Sequence, residues 1–177
     1  MTAPAAGPPL LEAATTETLV SPLRLREALG RFATGVTIIT CLDSDIGRVG
    51  LTASSFNALS LEPPLVLWSL RRESAQMPAF ARAEHFVVNV LAEDQLPLSR
   101  RFASRRDDKF DEGDWLPGEG GAPVLAGCAA VFECETFSRQ DAGDHVLFIG
   151  HVLALAQTAL PPLVYHAGHY HGLGGTF

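Results

Sequence analysis

"LTASSFNALSLEPPLVLWSL" spans Leu51 to Leu70. Its first part ends a strand-like run in a packet of hydroxyls, Thr52, Ser54 and Ser55. Its last part, "PPLVLWSL" from Pro63 to Leu70, reads as a strand entered through a double proline. Proline lacks the ladder N–H, so it fits the first residue of a strand and not its middle. Two strands with a proline turn and no helix between them point to antiparallel pairing rather than to a βαβ unit.

The flanks extend that pattern. Upstream, Ser21-Pro22 reads as an N-cap with proline at the first helical position. Leu25, Ala28, Leu29 and Phe32 recur at helical spacing, which predicts an amphipathic helix over 22–33, ended by Gly35. "GVTIITCL" (35–42) is β-branched and reads as a strand, "DSDIG" (43–47) as a turn, and 48–57 as the next strand. Downstream, 75–83 reads as a short helix, 85–91 as a strand, and 93–103 as a helix with Pro97 tolerated in its first turn. Residues 104–123 read as one long loop holding Lys109, Phe110 and Trp115, a length that usually marks a functional segment or lid. The stretch 129–137 alternates as a strand does. "HVLFIGHVLALA" (145–156) is the longest strand, and Gly150 marks a bulge or barrel corner within it. Residues 162–173 read as a terminal hairpin. Strands dominate, so a mainly β barrel or sandwich is expected. No dinucleotide fingerprint, phosphate-loop motif or internal repeat occurs.

Composition bounds the function. A chain of 177 residues, 47% apolar and 19% charged, suits one soluble domain. Residues 1–20 contain no Lys or Arg and read as a flexible tail rather than a signal peptide, leaving 21–177 as the domain. No apolar run reaches the roughly 18 residues of a membrane helix. A formal charge of −7 argues against nucleic acid. Local basic clusters at Arg71–Arg72, Arg100–Arg101 and Arg105–Arg106 suit a small anionic ligand instead. The three cysteines form no CxxC. At strand rise Cys128 and Cys134 lie about 20 Å apart. Buried free thiols and a reducing cytoplasm are expected.

Three stretches bear on chemistry. The hydroxyls and backbone N–H groups of "TASSF" can converge on an oxygen-rich ligand such as a ribityl phosphate, or can line a solvated strand edge. Arg71, Arg72 and Arg101 are the cations that would favour the first reading. His166, His169 and His171 lack an acidic or Cys partner at a standard spacing, so no metal is expected there. "GDHVLFIGHV" (143–152) places His145 at the mouth of a very apolar strand, either as a strand cap or as a side chain over a cavity that holds a cofactor.

Taken together these stretches resemble the flavin reductase-like family, the FMN-binding split barrels that serve as small components of two-component flavin-dependent monooxygenases. The resemblance runs from about Leu23 to Leu173 and rests on blocks in the family's order. They are "LREALGRFATGVTIIT" (25–40), "GLTASSFNALSLEPPLVLWSL" (50–70), "HFVVNVLAEDQLPLSRRFA" (85–103), "DKFDEGDW" (108–115), "GDHVLFIGHV" (143–152) and "YHAGHYHGL" (165–173). It implies a Greek-key split β-barrel of six or so antiparallel strands with two to four flanking helices. It implies a cytoplasmic homodimer in which NADH or NADPH reduces FMN or FAD, with the reduced flavin passing to a separate monooxygenase. The alternatives are a flavoprotein that retains FMN and reduces another acceptor, or a non-enzymatic barrel that holds flavin or haem. By position, the implied flavin contacts are Thr52, Ala53, Ser54, Ser55 and Phe56, then Trp68, Ser69 and Leu70, then Ser74, Arg101 and Phe102. His145 is implied to lie where nicotinamide stacks. His151 departs from the acidic or basic residue many relatives carry, and is left out of the site. Hydride transfer asks the protein mainly to stack two flat rings at roughly 3–3.5 Å.

Overall fold

The computed structural model describes residues 20–175; the tail expected over 1–20 lies outside the described residues except for Val20. In chain order the strands are β1 (Thr34–Gly35), β2 (Thr37–Asp43), β3 (Gly47–Ala53), β4 (Asn57–Leu61), β5 (Pro64–Arg71), β6 (His85–Val90), β7 (Trp115–Pro117), β8 (Pro123–Leu125), β9 (Ala130–Ala142), β10 (His145–Gln157), β11 (Val164–His166) and β12 (His169–His171). The helices are α1 (Pro22–Leu29), α2 (Met77–Arg82) and α3 (Leu96–Ala103).

Seven strands form one antiparallel sheet in the order β3-β2-β6-β9-β10-β5-β4. Curled on itself, it encloses a core in which Trp68 stacks on Phe148 at 4.6 Å and meets Phe80 edge-on at 4.9 Å. The edge strands β3 and β4 do not pair with each other, so the barrel is split at that seam. Bend and bulge sit where the sequence places them. The ladder between β9 and β10 shifts register at Ile149/Gly150. A Cβ on Gly150 would collide with the Phe86 ring and reach Cys134 Cβ at 2.9 Å, so only glycine lets the strands close there.

The central strand β6 is buried on both faces. Phe86 and Val88 point into the barrel, while Val87 joins a second core outside it with Leu91, Phe102 and Leu125. A continuous apolar run is what such a strand requires. Its one buried polar residue, Asn89, is fully used. Its amide donates to Ile38 O at 3.1 Å and Thr40 Oγ1 at 3.3 Å, and its carbonyl accepts from Leu125 N at 2.8 Å.

Four expectations need correction. The helix expected over 22–33 stops at Leu29, and none of its residues is buried, so its apolar face lies open. The strand expected over 48–57 breaks at 54–56, where the chain crosses the seam. The 104–123 segment is not structureless: β7 lies within it and pairs with β8 at its end, and Phe110 and Trp115 pack on Phe102 at 5.0 and 5.3 Å. The strand seen over 129–137 continues to Ala142. The three cysteines are free and buried, and burial pushes each thiol up to about 12. Among the described residues no helix is long and apolar enough to cross a membrane, and no group of His, Cys, Asp and Glu gathers to hold a metal ion.

Candidate active site

The seam makes the site. After Ala53 the chain leaves the β2 ladder and crosses to β4 through Ser54, Ser55 and Phe56. Side chains hold the crossing where no ladder exists. Ser55 Oγ accepts from Ser69 N at 3.0 Å and donates to Ser69 O at 3.1 Å. Thr52 Oγ1 donates to Ser99 O at 2.6 Å, tying β3 to α3. Thr37 Oγ1 donates to Ala53 O at 2.8 Å. Of the hydroxyl packet, Thr52 and Ser55 are therefore spent on shaping the crossing, and Ser54 stays exposed. Among the hydrogen bonds of the described residues, the backbone N–H groups of Ser54 and Ser55 have no protein acceptor. Backbone N–H groups left without a protein partner beside a cleft are available to a ligand.

A cleft of about 550 Å³ opens at this crossing. Of the residues expected to bind flavin, Thr52, Ala53, Ser54, Ser55, Ser69, Leu70 and Ser74 line it, and so does His145. A second cleft of about 590 Å³ adjoins it and shares Leu51, Thr52, Glu73, Ser74 and Arg105. Volumes of this size accept drug-sized ligands. The apolar Leu51 and Leu70, the free amides and the cations along the rim fit a flat ring system with a phosphorylated tail.

His145 opens β10, directly opposite Arg71 of β5 in the ladder. Its imidazole is half-exposed, and Nδ1 lies 2.7 Å from Asp144 Oδ1. That hydrogen bond, reinforced by the imidazole's charge, holds the Asp144 carboxyl below its ordinary value of 3.8. The other Asp144 oxygen stands 3.9 Å from Arg71 Nη2. One carboxylate thus orients both the imidazole and a cation at the cleft mouth. Arg72 does not join them: it pairs with Asp141 at 2.7 Å and donates to Gly143 O at 3.2 Å.

Four expected contacts fall elsewhere. Trp68 is fully buried, because alternate residues of β5 point into the barrel; its ring faces the core, not the cleft. Phe56 packs on Phe132 at 5.5 Å and lies outside both clefts. Phe102 borders only the second cleft, its ring held in the outer core. Arg101 lines neither. Its guanidinium is buried and committed to Asp108 at 2.9 Å, Glu112 at 2.7 Å and the carbonyls of Asp108 and Lys109. The cation that does reach both clefts is Arg105, two residues beyond the end of α3, together with Lys109 in the second. Arg105 was visible only as one member of a basic run. Lys109 gave no signal, because a buried lysine contradicts its composition rank.

A β-barrel split at a seam, with hydroxyls, an imidazole and cations around its cleft, offers a site for a flat anionic ligand. The chain belongs to the flavin reductase like domain family, whose model matches residues 29–174. It is 44% identical over 145 residues to FMN reductase (NADH) SmoA of Agrobacterium fabrum, covering 82% of each chain. It is 43% identical over 155 residues to the reductase subunit HsaB of a flavin-dependent monooxygenase of Rhodococcus jostii, covering 87% of this chain and 79% of that one. Among solved structures, the Streptomyces globisporus NADH:FAD oxidoreductase SgcE6, in complex with NAD and FAD fragments, superposes with a TM-score of 0.82 at 34% identity. That match covers 89% of this chain and 98% of SgcE6.

Proposed function

We propose that this chain uses a nicotinamide nucleotide to reduce FMN or FAD in the seam cleft and releases the reduced flavin to a monooxygenase partner. The observation that carries this reading is the one cleft that Ser54, Ser55, His145 and Arg105 line together. A bound flavin supplies the hydride acceptor. The chain's own residues do the rest. Leu51 and Leu70 provide apolar wall, the Ser54 and Ser55 amides meet negative charge at the ring edge or tail, and His145, held by Asp144, orients the nicotinamide. No acid or base is needed for the hydride step itself.

Flavin is read as an exchangeable substrate, because Ser54, Arg71, Glu73 and Arg105 of the cleft wall are all exposed. A homodimer is supported by the open apolar side chains Leu23, Leu29 and Phe32 at α1, exposed by 64% or more, and by Leu155 on β10. Three buried, unpaired cysteines suit a reducing cytoplasm. The test is oxidation of NADH and of NADPH with FMN, FAD and riboflavin added in turn. Turnover that depends on added flavin, from colourless protein, supports the reading. Tightly held yellow cofactor with no response to added flavin points to a retained prosthetic group. Absence of NAD(P)H oxidation under every condition leaves only a binding protein.

A further inference from the structure

The terminal hairpin of β11 and β12 stands apart from the seven-stranded sheet and pairs with β1. Backbone bonds fasten its approach and its tip: Leu163 N donates to Leu91 O at 2.9 Å, and Ala167 N donates to Gly30 O at 2.9 Å. At its far end Gly172 lies so close to Glu93 that a Cβ there would stand 2.6 Å from the carboxylate. Between these points Tyr170 meets the Tyr165 ring edge-on at 5.2 Å and packs on the outer core. Its hydroxyl does more than packing needs: it lies 3.0 Å from Ser99 Oγ on α3. Ser99 is fully buried, and among the described residues neither hydroxyl has another hydrogen-bond partner.

Ser99 is bonded from two directions. Its side chain meets Tyr170, and its carbonyl accepts from Thr52 Oγ1 at 2.6 Å. Thr52 lines both clefts, so it stands where they join. The same helix touches β3 a second time, because a Cβ on Gly50 would stand 2.7 Å from the Phe102 ring, and residues 50 and 52 share a face of the strand. Through α3 the hairpin is thus linked to the strand that ends in the cleft. A hydroxyl carries one proton, and Thr52 spends it on Ser99, so toward a ligand it can only accept. Where Thr52 offers its lone pairs is therefore set by where α3 holds the Ser99 carbonyl.

We infer that Tyr170 is a positioning residue for the flavin cleft: its hydroxyl fixes Ser99 on α3, and Ser99 in turn fixes Thr52. The inference rests on the functional reading above, and it adds to that reading a residue that lines neither cleft. Without the Tyr170 bond α3 is free to roll, the Ser99 carbonyl shifts away from Thr52, and the released hydroxyl proton turns toward the cleft. A phenylalanine at 170 keeps the ring contact with Tyr165 and loses only the hydroxyl, so the polar bond can be separated from the packing.

The test compares full-length wild type with Tyr170→Phe, Ser99→Ala and the double variant. Dissociation constants for FMN are measured by titration, and the flavin Michaelis constant and turnover at saturation by NADH oxidation. Each single variant is expected to bind FMN about three- to tenfold more weakly, with the Michaelis constant rising in step. Turnover at saturating flavin stays near wild type. The double variant loses no more than either single one, because the two hydroxyls make one bond. Tyr170→Phe added to Thr52→Val likewise costs no further affinity, since the group being positioned is already gone. Unchanged FMN affinity in Tyr170→Phe overturns the inference even where urea unfolding shows a loosened fold, which would mark a structural role only. Losses that multiply in the double variant overturn it as well. If Tyr170→Phe does not fold, Ser99→Ala alone and combined with Thr52→Val decides by the same outcomes. Variants that match a wild type active with added flavin defeat the positioning role alone; a wild type that binds no flavin defeats the functional reading with it.

Discussion

The hydroxyl of Ser55 both accepts from the amide of Ser69 and donates to its carbonyl, at 3.0 and 3.1 Å. A single side chain thereby satisfies the backbone of β5 where a neighbouring strand would otherwise stand. The barrel stays split, yet its seam is not loose, and the Ser54 and Ser55 amides are left free at a fixed place.

Ser55→Ala removes both bonds and leaves a half-buried amide and carbonyl of Ser69 unpaired. We expect a loss of about 1–3 kcal/mol in urea unfolding, with flavin affinity falling as well. A stability within error of wild type would show that the seam is held by something other than this hydroxyl.

Arg101 illustrates how a residue can belong to a site without touching its ligand. Its guanidinium gathers Asp108, Glu112 and two carbonyls, and so fixes the segment that carries Arg105 and Lys109 to the cleft. Arg101→Ala exposes carboxylates that water can already reach, so the cost is that of lost charged hydrogen bonds, about 1.5–3 kcal/mol. The flavin Michaelis constant should rise while turnover at saturation stays near wild type. Arg101→Lys should not restore it, because an ammonium cannot span the same acceptors. A fall in kcat with an unchanged Michaelis constant would count against a positioning role.

Much of this was legible in the residues. Alternation, the proline entry at Pro64 and the break at Gly150 specify antiparallel strands and a corner, because these depend on local backbone rules. The hydroxyl packet marks the crossing because small polar residues suit a chain that leaves a ladder. What stayed hidden was direction. Trp68 and Ser69 are neighbours in "LWSL", yet one faces the core and the other the cleft, and only the register with β10 decides which. Arg101 and Arg105 look alike within "SRRFASRR", but one lies on the buried side of α3 and the other beyond its end. Tertiary packing, not spacing, separates them.

Asp43 gives an acid-stability prediction. Its carboxylate accepts from the amides of Asp45 and Ile46 at 3.0 and 3.2 Å and pairs with Arg82 at 2.7 Å, and its pKa lies below the ordinary 3.8. A depressed folded-state pKa adds stability that is fully present above the unfolded value and is lost as pH falls through the folded one. Unfolding midpoints measured from about pH 5 down to about pH 2 should therefore drop more steeply for wild type than for Asp43→Asn. Parallel slopes would refute the linkage.

The thiols Cys41, Cys128 and Cys134 are buried and pushed up to about 12. The thiolate is the reactive form, so all three should resist alkylation at neutral pH in the folded protein and react together once urea unfolds it. Labelling of one cysteine at a native rate would mean that its strand opens locally.

His145 and Asp144 carry the last prediction. The imidazole stands at the cleft mouth with Nδ1 fixed by a carboxylate at 2.7 Å, which leaves Nε2 as the nitrogen free to meet a ligand. If this pair orients nicotinamide, His145→Ala raises the Michaelis constant for NADH and lowers turnover, because stacking distance controls hydride transfer steeply. Asp144→Asn keeps the ring but loosens its orientation, so the Michaelis constant for NADH should rise with a smaller change in turnover. Flavin affinity, measured without NADH, should change less than the Michaelis constant for NADH in His145→Ala, since Ser54, Ser55 and Arg105 line the cleft from other segments. Wild-type kinetics in His145→Ala would remove the imidazole from the reaction.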